Sequence, residues 1–121
     1  MVLSLTTRTR EPGITVIEIA GRVTVGREQR QIEAAVVKAL TEGARKLVID
    51  VSKVTHIDST GIGSIAYCFG KISQKGASGA VAGAKGLVLD VFKLTRLDSV
   101  IRFSPDVESA CAALSAASSA A

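Results

Sequence analysis

The stretch Lys46-Leu47-Val48-Ile49-Asp50-Val51-Ser52, followed after a short connection by His56-Ile57-Asp58-Ser59-Thr60-Gly61-Ile62-Gly63, decides the fold. Leu47-Val48-Ile49 is an uninterrupted apolar run, the pattern of a central strand covered on both faces. Ser52 to Ile57 reads as a connection. Beyond it Ile62, Ile65, Ala66, Phe69 and Ile72 recur at helical spacing, and Lys75-Gly76 closes that helix. On the other side of the strand, Ile32, Ala35, Val36, Ala39 and Leu40 make one face of an amphipathic helix running from Glu28 to the stop at Gly43. A helix, a buried strand and a second helix in this order predict βαβ units around a parallel sheet.

Leu3 and Leu5 alternate with Ser4 and Thr6, Glu11-Pro12-Gly13 supplies a turn, and Ile14 to Ala20 is rich in β-branched residues, so two strands joined tightly precede the first helix, with Gly21 breaking the second strand. Downstream, Ala80 to Ala84 reads as a short strand whose small residues let a helix pack close. Leu87, Val88, Val91 and Leu94 give a short third helix, Val100 to Phe103 a last strand, and Ser104-Pro105-Asp106 a helix start with a cap followed by proline. The final helix is expected from Val107 to about Ala116. One domain over residues 1–121 accounts for the chain, with 115–121 expected as a flexible Ser/Ala tail.

Composition narrows the function. With Trp 0, Tyr 1 and Phe 3 the core is aliphatic, and the aromatic platforms that stack single-stranded bases are missing. The net charge of +4 is scattered from Arg8 to Arg102 without a basic run, so direct nucleic-acid binding is not expected. Cys68 and Cys111 sit in apolar stretches, as small buried thiols do. Met1 to Arg10 holds no apolar block of signal-peptide length and no segment approaches a membrane span, so a soluble cytoplasmic protein without membrane insertion is expected.

Three chemistries meet at Asp58-Ser59-Thr60-Gly61-Ile62-Gly63. Gly61 to Ala66 fits G-x-G-x-x-A, but the glycines lie far past Val51 and no acid stands near position 80, so dinucleotide binding fails on context. Ser59 with His56 as base lacks a carboxylate to orient the imidazole, and residues three apart at a helix start diverge. His56 is the only histidine, so no set of metal ligands converges on it, and the Gly76 to Gly86 segment lacks a phosphate-loop motif. The third chemistry is phosphorylation of Ser59: Asp58 is a good N-cap, and the free N–H groups and dipole of a helix start favour added negative charge. The alternative is a plain cap with a polar neighbour. Gly61 and Gly63 each cost about 1 kcal/mol of helix propensity, which suggests a close approach to the backbone. Tyr67, with Gly63, Ser64, Lys71 and Gln74, falls on the face opposite Ile62, Ile65 and Phe69.

Asp58-Ser59-Thr60-Gly61-Ile62-Gly63, preceded by Leu47-Val48-Ile49-Asp50-Val51-Ser52, resembles the signature of the STAS domain family, especially its anti-sigma factor antagonists. Gly21-Arg22-Val23 and the segments around Val91 to Leu94 and Phe103 to Asp106 extend the resemblance over nearly the whole chain. It implies an α/β fold of a mixed, mostly parallel sheet of four to five strands covered by about four helices. It also implies a chain that is not itself an enzyme, needs no cofactor or metal, and is a monomer or weak dimer when free. By this resemblance Ser59 is the phosphate acceptor, with Thr60 the alternative. Asp50, Asp58, Gly61 and Gly63 shape the site, and Ser59, Thr60, Gly63, Ser64 and Tyr67 meet the partner. That partner would be an anti-sigma factor with serine kinase activity, released on phosphorylation; a place in a larger stress-signalling or lipid-transport assembly is the other reading. Many members carry an acidic residue after the second strand, where Val23-Thr24-Val25-Gly26 has none.

Overall fold

The computed structural model describes residues 4–10, 13–23, 27–96 and 101–120, the side chains of 27–29 and 116–120 excepted. Leu3, Glu11, Pro12 and Val100, which entered the expectations above, lie outside the described residues. The elements are β1 (Ser4–Arg10), β2 (Ile14–Val23), α1 (Arg27–Thr41), β3 (Lys46–Ile57), α2 (Ser59–Gln74), β4 (Ser78–Ala82), α3 (Gly86–Leu94), β5 (Arg102–Ser104) and α4 (Val107–Ala120).

The strands form one five-stranded sheet in chain order, β1-β2-β3-β4-β5. β1 and β2 pair antiparallel, and every later pair is parallel. Three successive right-handed crossovers that all step the same way must leave their helices on one face. Accordingly α1, α2 and α3 bury Ile32, Val36, Ile62, Ile65, Ile72 and Phe92 against Ile17, Ile19, Leu47, Ile49, Val51 and Val81. Strand alternation turns Ile14, Val16, Val48, Ala80 and Ala82 to the opposite face, where α4 covers them with Ala110, Cys111 and Leu114. The central strand is thus buried on both sides, as its apolar run requires. Where α4 does not reach, Glu18 bonds Lys53 at 3.3 Å and Arg8 at 3.2 Å. Lys53 foremost, and Arg8, hold the Glu18 carboxyl below its usual range against the opposing effect of burial. Arg10 ties β1 to α4 through Glu108.

Both helix stops read from sequence are borne out. Gly43 takes a φ of +98°, and the N–H groups of Gly43 and Ala44 donate to the carbonyls of Leu40 and Ala39. Gly76 and Ala77 close α2 in the same way on Ser73 and Ile72.

Other expectations are corrected. Ser52 to Ile57 is not a connection but the second half of β3. Nor does Gly21 end β2: the strand runs to Val23, its register with β3 slipping between Glu18 and Ala20 and again between Gly21 and Arg22. Gly21, at φ +101°, sits in that irregularity, where a β-branched residue would be strained. These slips break the period-two pattern and conceal the strand from a reading of alternation. β4 comes two residues earlier than expected, and a side chain at Gly79 would bring its β-carbon 3.0 Å from Phe69 and 3.1 Å from Ile72, so the close helix approach holds. α3 buries Val88 and Phe92, the latter edge-on to Phe103, and leaves Leu87 and Leu94 80% and 83% exposed. β5 is only Arg102–Ser104. α4 is capped by Asp106, whose Oδ1 accepts from Ser109 N–H at 2.7 Å, so Pro105 lies before the helix rather than in its first turn. That helix runs on to Ala120, past the expected end and through the residues read as a tail. Among the described residues no helix is long and apolar enough to cross a membrane.

Ile49 is fully buried in the strand that joins the two halves of the core. Ile49→Asp should cost several kcal/mol and unfold a domain whose total stability is about 5–15 kcal/mol, whereas Lys71→Ala should be nearly silent. Urea denaturation followed by circular dichroism measures both, and equal midpoints would contradict the central placement of β3.

Candidate functional site

The C-terminal ends of the parallel strands carry the starts of α2 and α3, the rim where α/β sheets place their sites. Asp58 leaves β3 with extended backbone (φ −114°, ψ −176°), and its Oδ1 accepts from Gly61 N–H at 2.8 Å. Its own N–H donates to the carbonyl of Val23 at 3.3 Å, and its carbonyl accepts from Ile62 N–H at 2.9 Å. The expected N-cap is present, and it is anchored to the neighbouring strand.

Gly61 has a steric reason for being glycine. A β-carbon there would stand 2.3 Å from the Val23 carbonyl oxygen and under 3 Å from Val23 and Ile57 side-chain carbons. The missing side chain lets the first turn of α2 sit directly on β2. That space is filled by the chain itself, which removes the close backbone approach a pyrophosphate would need. Gly63 is different: it is exposed, with nothing among the described residues within 4 Å of where its β-carbon would be.

Ser59 is the first helical residue and exposed, Thr60 beside it half-buried. Gly63 and Tyr67 follow at successive turns on the outer face. Tyr67 is 48% exposed, and the Lys71 ammonium lies 5.3 Å from its ring centroid. Ser59, Gly63 and Tyr67, each four residues from the next, are therefore one exposed strip, and Gly63 and Tyr67 share a face as their spacing implied. Ser64 is not part of it: the residue is 4% exposed and its hydroxyl donates to Glu33 Oε2 at 2.9 Å, so it joins α2 to α1. One helical position from Gly63 turns a side chain by about 100°, enough to pass from the outer face to the helix interface. No sequence signal marked Glu33 as its partner. The role of the Val23 carbonyl was likewise invisible, although two glycines in one helical turn announced that something was close.

Asp50 is also not brought to Ser59. It is 5% exposed, in register with Glu18 and Ala82 on the α4 side of the sheet, and its Oδ1 accepts from Ser52 N–H at 3.0 Å. It fixes the path of β3 toward the rim. His56 is exposed and engaged elsewhere: Thr55 Oγ1 donates to the Gly21 carbonyl at 3.2 Å and so accepts from His56 Nδ1, 3.0 Å away. No Ser59–His56 hydrogen bond is made among the described residues, and the geometry for a serine nucleophile with its base is not assembled. Among the described residues no group of three or more His, Cys, Asp or Glu is placed to hold a metal ion. Both cysteines are free and buried; burial pushes the Cys68 thiol up to about 12, and the Cys111 thiol also upward, which makes them poor nucleophiles.

Comparison with known proteins agrees with this geometry. The family model of the STAS domain matches residues 6–110. No curated protein sequence matches. Among solved structures, one from Thermotoga maritima superposes with a TM-score of 0.83 at 20% identity, covering 91% of this chain and 93% of that one. An anti-sigma factor antagonist from Mycobacterium paratuberculosis gives 0.81 at 20% identity, covering 93% and 94%. The Bacillus cell fate determinant SpoIIAA in its phosphorylated form gives 0.67 at 16% identity, covering 87% and 95%. At these identities the likeness is one of fold.

The two glycines should separate cleanly. Gly61→Ala must displace the first turn from Val23 and should cost about 1–3 kcal/mol, while Gly63→Ala meets open space and should gain up to about 1 kcal/mol. Thermal melts of the two variants check this; a Gly61→Ala protein as stable as the parent would contradict the seating of α2 on β2.

Proposed function

The chain belongs to the STAS family, and on that premise we propose that it is a cytoplasmic anti-sigma factor antagonist whose α2 strip captures an anti-sigma factor with serine kinase activity. The observation that carries this reading is the exposed hydroxyl of Ser59 on a fixed helix tip, one turn before a glycine, Gly63, that no contact among the described residues explains. A glycine without an internal reason fits a surface that another protein approaches closely.

In this reading the chain is a binding module, and the phosphoryl chemistry is the partner's. The kinase transfers the γ-phosphoryl group of ATP to Ser59 Oγ: the new O–P bond forms, the bond to the β-phosphate oxygen breaks, the hydroxyl proton passes to a base of the kinase, and ADP leaves. Ser59 is favoured over Thr60 because it is the more exposed of the two. The fold tolerates the product, since a phosphate at a helix start lies near free N–H groups and the positive end of the dipole. That SpoIIAA, of like fold, has been solved in a phosphorylated form is consistent with this. The partner meets a surface that has gained about −1.5 to −2 charges, and burying such a charge without a matching cation costs a few kcal/mol.

A serine-kinase anti-sigma factor encoded beside this chain is the partner to test. Phosphorylation should place one phosphate on Ser59 and weaken binding on the order of a hundredfold with the fold unchanged. Ser59→Asp should imitate this in part, having one charge and a shorter reach, and Ser59→Ala should stay bound when ATP is present. Calorimetry on the three forms, with circular dichroism to confirm folding, decides it; equal affinities for all three would return Ser59 to the neighbour of a cap.

A further inference from the structure

The two edges of the sheet are protected to different degrees. β5 is three residues long, Arg102–Ser104, and offers an incoming strand little to pair with. β1 is seven residues long and pairs with β2 in one unbroken register, from Ser4 with Ala20 to Arg10 with Ile14. Among the described residues its other side pairs with no strand. On an antiparallel strand every second residue turns both its N–H and its C=O to that side, so the edge presents a row of backbone donors and acceptors.

Proteins blunt such an edge with proline, a bulge or charges standing across it. Ser4 to Arg10 holds no proline, and its register with β2 does not slip. Both of its cations are drawn inward. Arg8 reaches Glu18 on β2 at 3.2 Å and Arg10 reaches Glu108 on α4, so each guanidinium lies over the chain's own fold and is neutralised there. What remains along the strand is neutral and rich in threonine, a good strand former: Ser4, Leu5, Thr6, Thr7 and Thr9. Neither helical layer closes over the edge. On one face α4 packs on Ile14, Val16, Val48 and Ala80, inward of β1. On the other a cleft of about 390 Å³, lined by Thr7, Thr9, Lys38 and Glu42 among others, separates β1 from the end of α1.

From this edge we infer that two copies of the chain associate β1 against β1, antiparallel, about a two-fold axis at Thr7. The charge on the strand selects this occupant. An acidic strand would find Arg8 and Arg10 already engaged, and a basic one would find no carboxylate on β1; a neutral, threonine-rich strand, which β1 itself is, matches. Thr7 is the one centre that pairs all of Ser4 to Arg10. Thr7 then stands opposite Thr7 of the second copy, Thr6 opposite Arg8, Leu5 opposite Thr9 and Ser4 opposite Arg10, and no two arginines face each other directly. Roughly six to eight backbone hydrogen bonds close the row. The pairing also limits itself: it uses up both β1 edges, and the joined sheet is bounded at each end by the short β5. With the axis normal to the sheet the two rims point in opposite directions, which leaves Ser59 uncovered in each copy.

The test is sedimentation of the full chain over a concentration series. A ladder of strand hydrogen bonds with little apolar area makes a weak contact, so monomer at low concentration and dimer at high concentration are expected. Thr7→Lys sets two ammonium groups opposite each other and should raise the dissociation constant at least about tenfold, and mixing it with Thr7→Glu protein should restore association. Mild oxidation should link Thr7→Cys into covalent dimers but not Ser4→Cys, whose counterpart lies six residues along the second copy, about 20 Å away. The native Cys68 and Cys111 are buried and stay out of this reaction. Circular dichroism confirms that substitutions at these exposed positions leave the fold intact. A chain that is monomeric throughout overturns the pairing, and so does association that Thr7→Lys leaves unchanged or that links Ser4→Cys as readily as Thr7→Cys. Association lost instead on Leu87→Ser overturns it in favour of the exposed leucines of α3. No phosphate or kinase takes part, so the result stands apart from the antagonist reading.

Discussion

The carbonyl of Val23 is the contact on which the rest of the site depends. It accepts the Asp58 N–H, and it occupies the space a side chain at residue 61 would need. For it to be there, β2 must extend as far as the end of β3, and it does so only by slipping register near Gly21. That slip lets the second half of β3 stay paired up to Ile57, delivers Asp58 to the start of α2, and sets the cap. An irregular strand, a tight glycine contact and an N-cap are therefore one construction, and the exposed Ser59 is its end point.

How much of this the sequence disclosed follows from which periods survive local irregularity. α1 and α2 were legible because Ile32, Val36, Ile62, Ile65 and Ile72 keep helical spacing and because Gly43 and Gly76 end the helices in a recognisable way. The Asp58 cap and the exposure of Ser59 were legible for the same local reason. The second half of β3 was not, since a bulged strand loses the period-two alternation that identifies it, and Lys53, Thr55 and His56 resemble a polar loop. Ser64 and the α3 face were misplaced by one helical position, a turn of about 100°, because several neighbouring residues were equally apolar or equally polar. In α3 the choice between Leu87 with Leu94 and Val88 with Phe92 was settled by the edge-on contact of Phe92 with Phe103, a partner from a distant strand. Asp50 was drawn toward the site by its place in the motif, yet alternation along β3 sends its carboxylate to the other side of the sheet.

Stability and exposure are divided between the two faces and the rim. The face under α1, α2 and α3 holds most of the large aliphatic residues, and the face under α4 mixes Ile14, Val16, Val48 and Leu114 with the smaller Ala80, Ala82, Ala110 and Cys111. Small residues bring a helix close to the sheet and compensate in contact what they lack in area. The rim contributes little to either core, so charge can change there without reaching buried groups. Ser59 sits at the one end of α2 where added negative charge meets unpaired N–H donors rather than the carbonyls of a helix C-terminus.

The composition of α2 sharpens the same division. Three glycines, Gly61, Gly63 and Gly70, lie within sixteen residues of a helix, each costing about 1 kcal/mol against alanine. Gly61 is required by the Val23 carbonyl, whereas Gly63 and Gly70 have nothing within 4 Å of where a β-carbon would stand among the described residues. Such a helix would not hold in isolation; its inner residues Ile62, Ile65, Cys68 and Ile72 hold it against the sheet. The outer face is therefore relieved of any structural duty. Gly63, one turn before Tyr67, leaves one flank of that aromatic ring bare, while Lys71, one turn after it, lays its ammonium 5.3 Å from the ring centroid, so a partner's side chains can reach the ring from the Gly63 side.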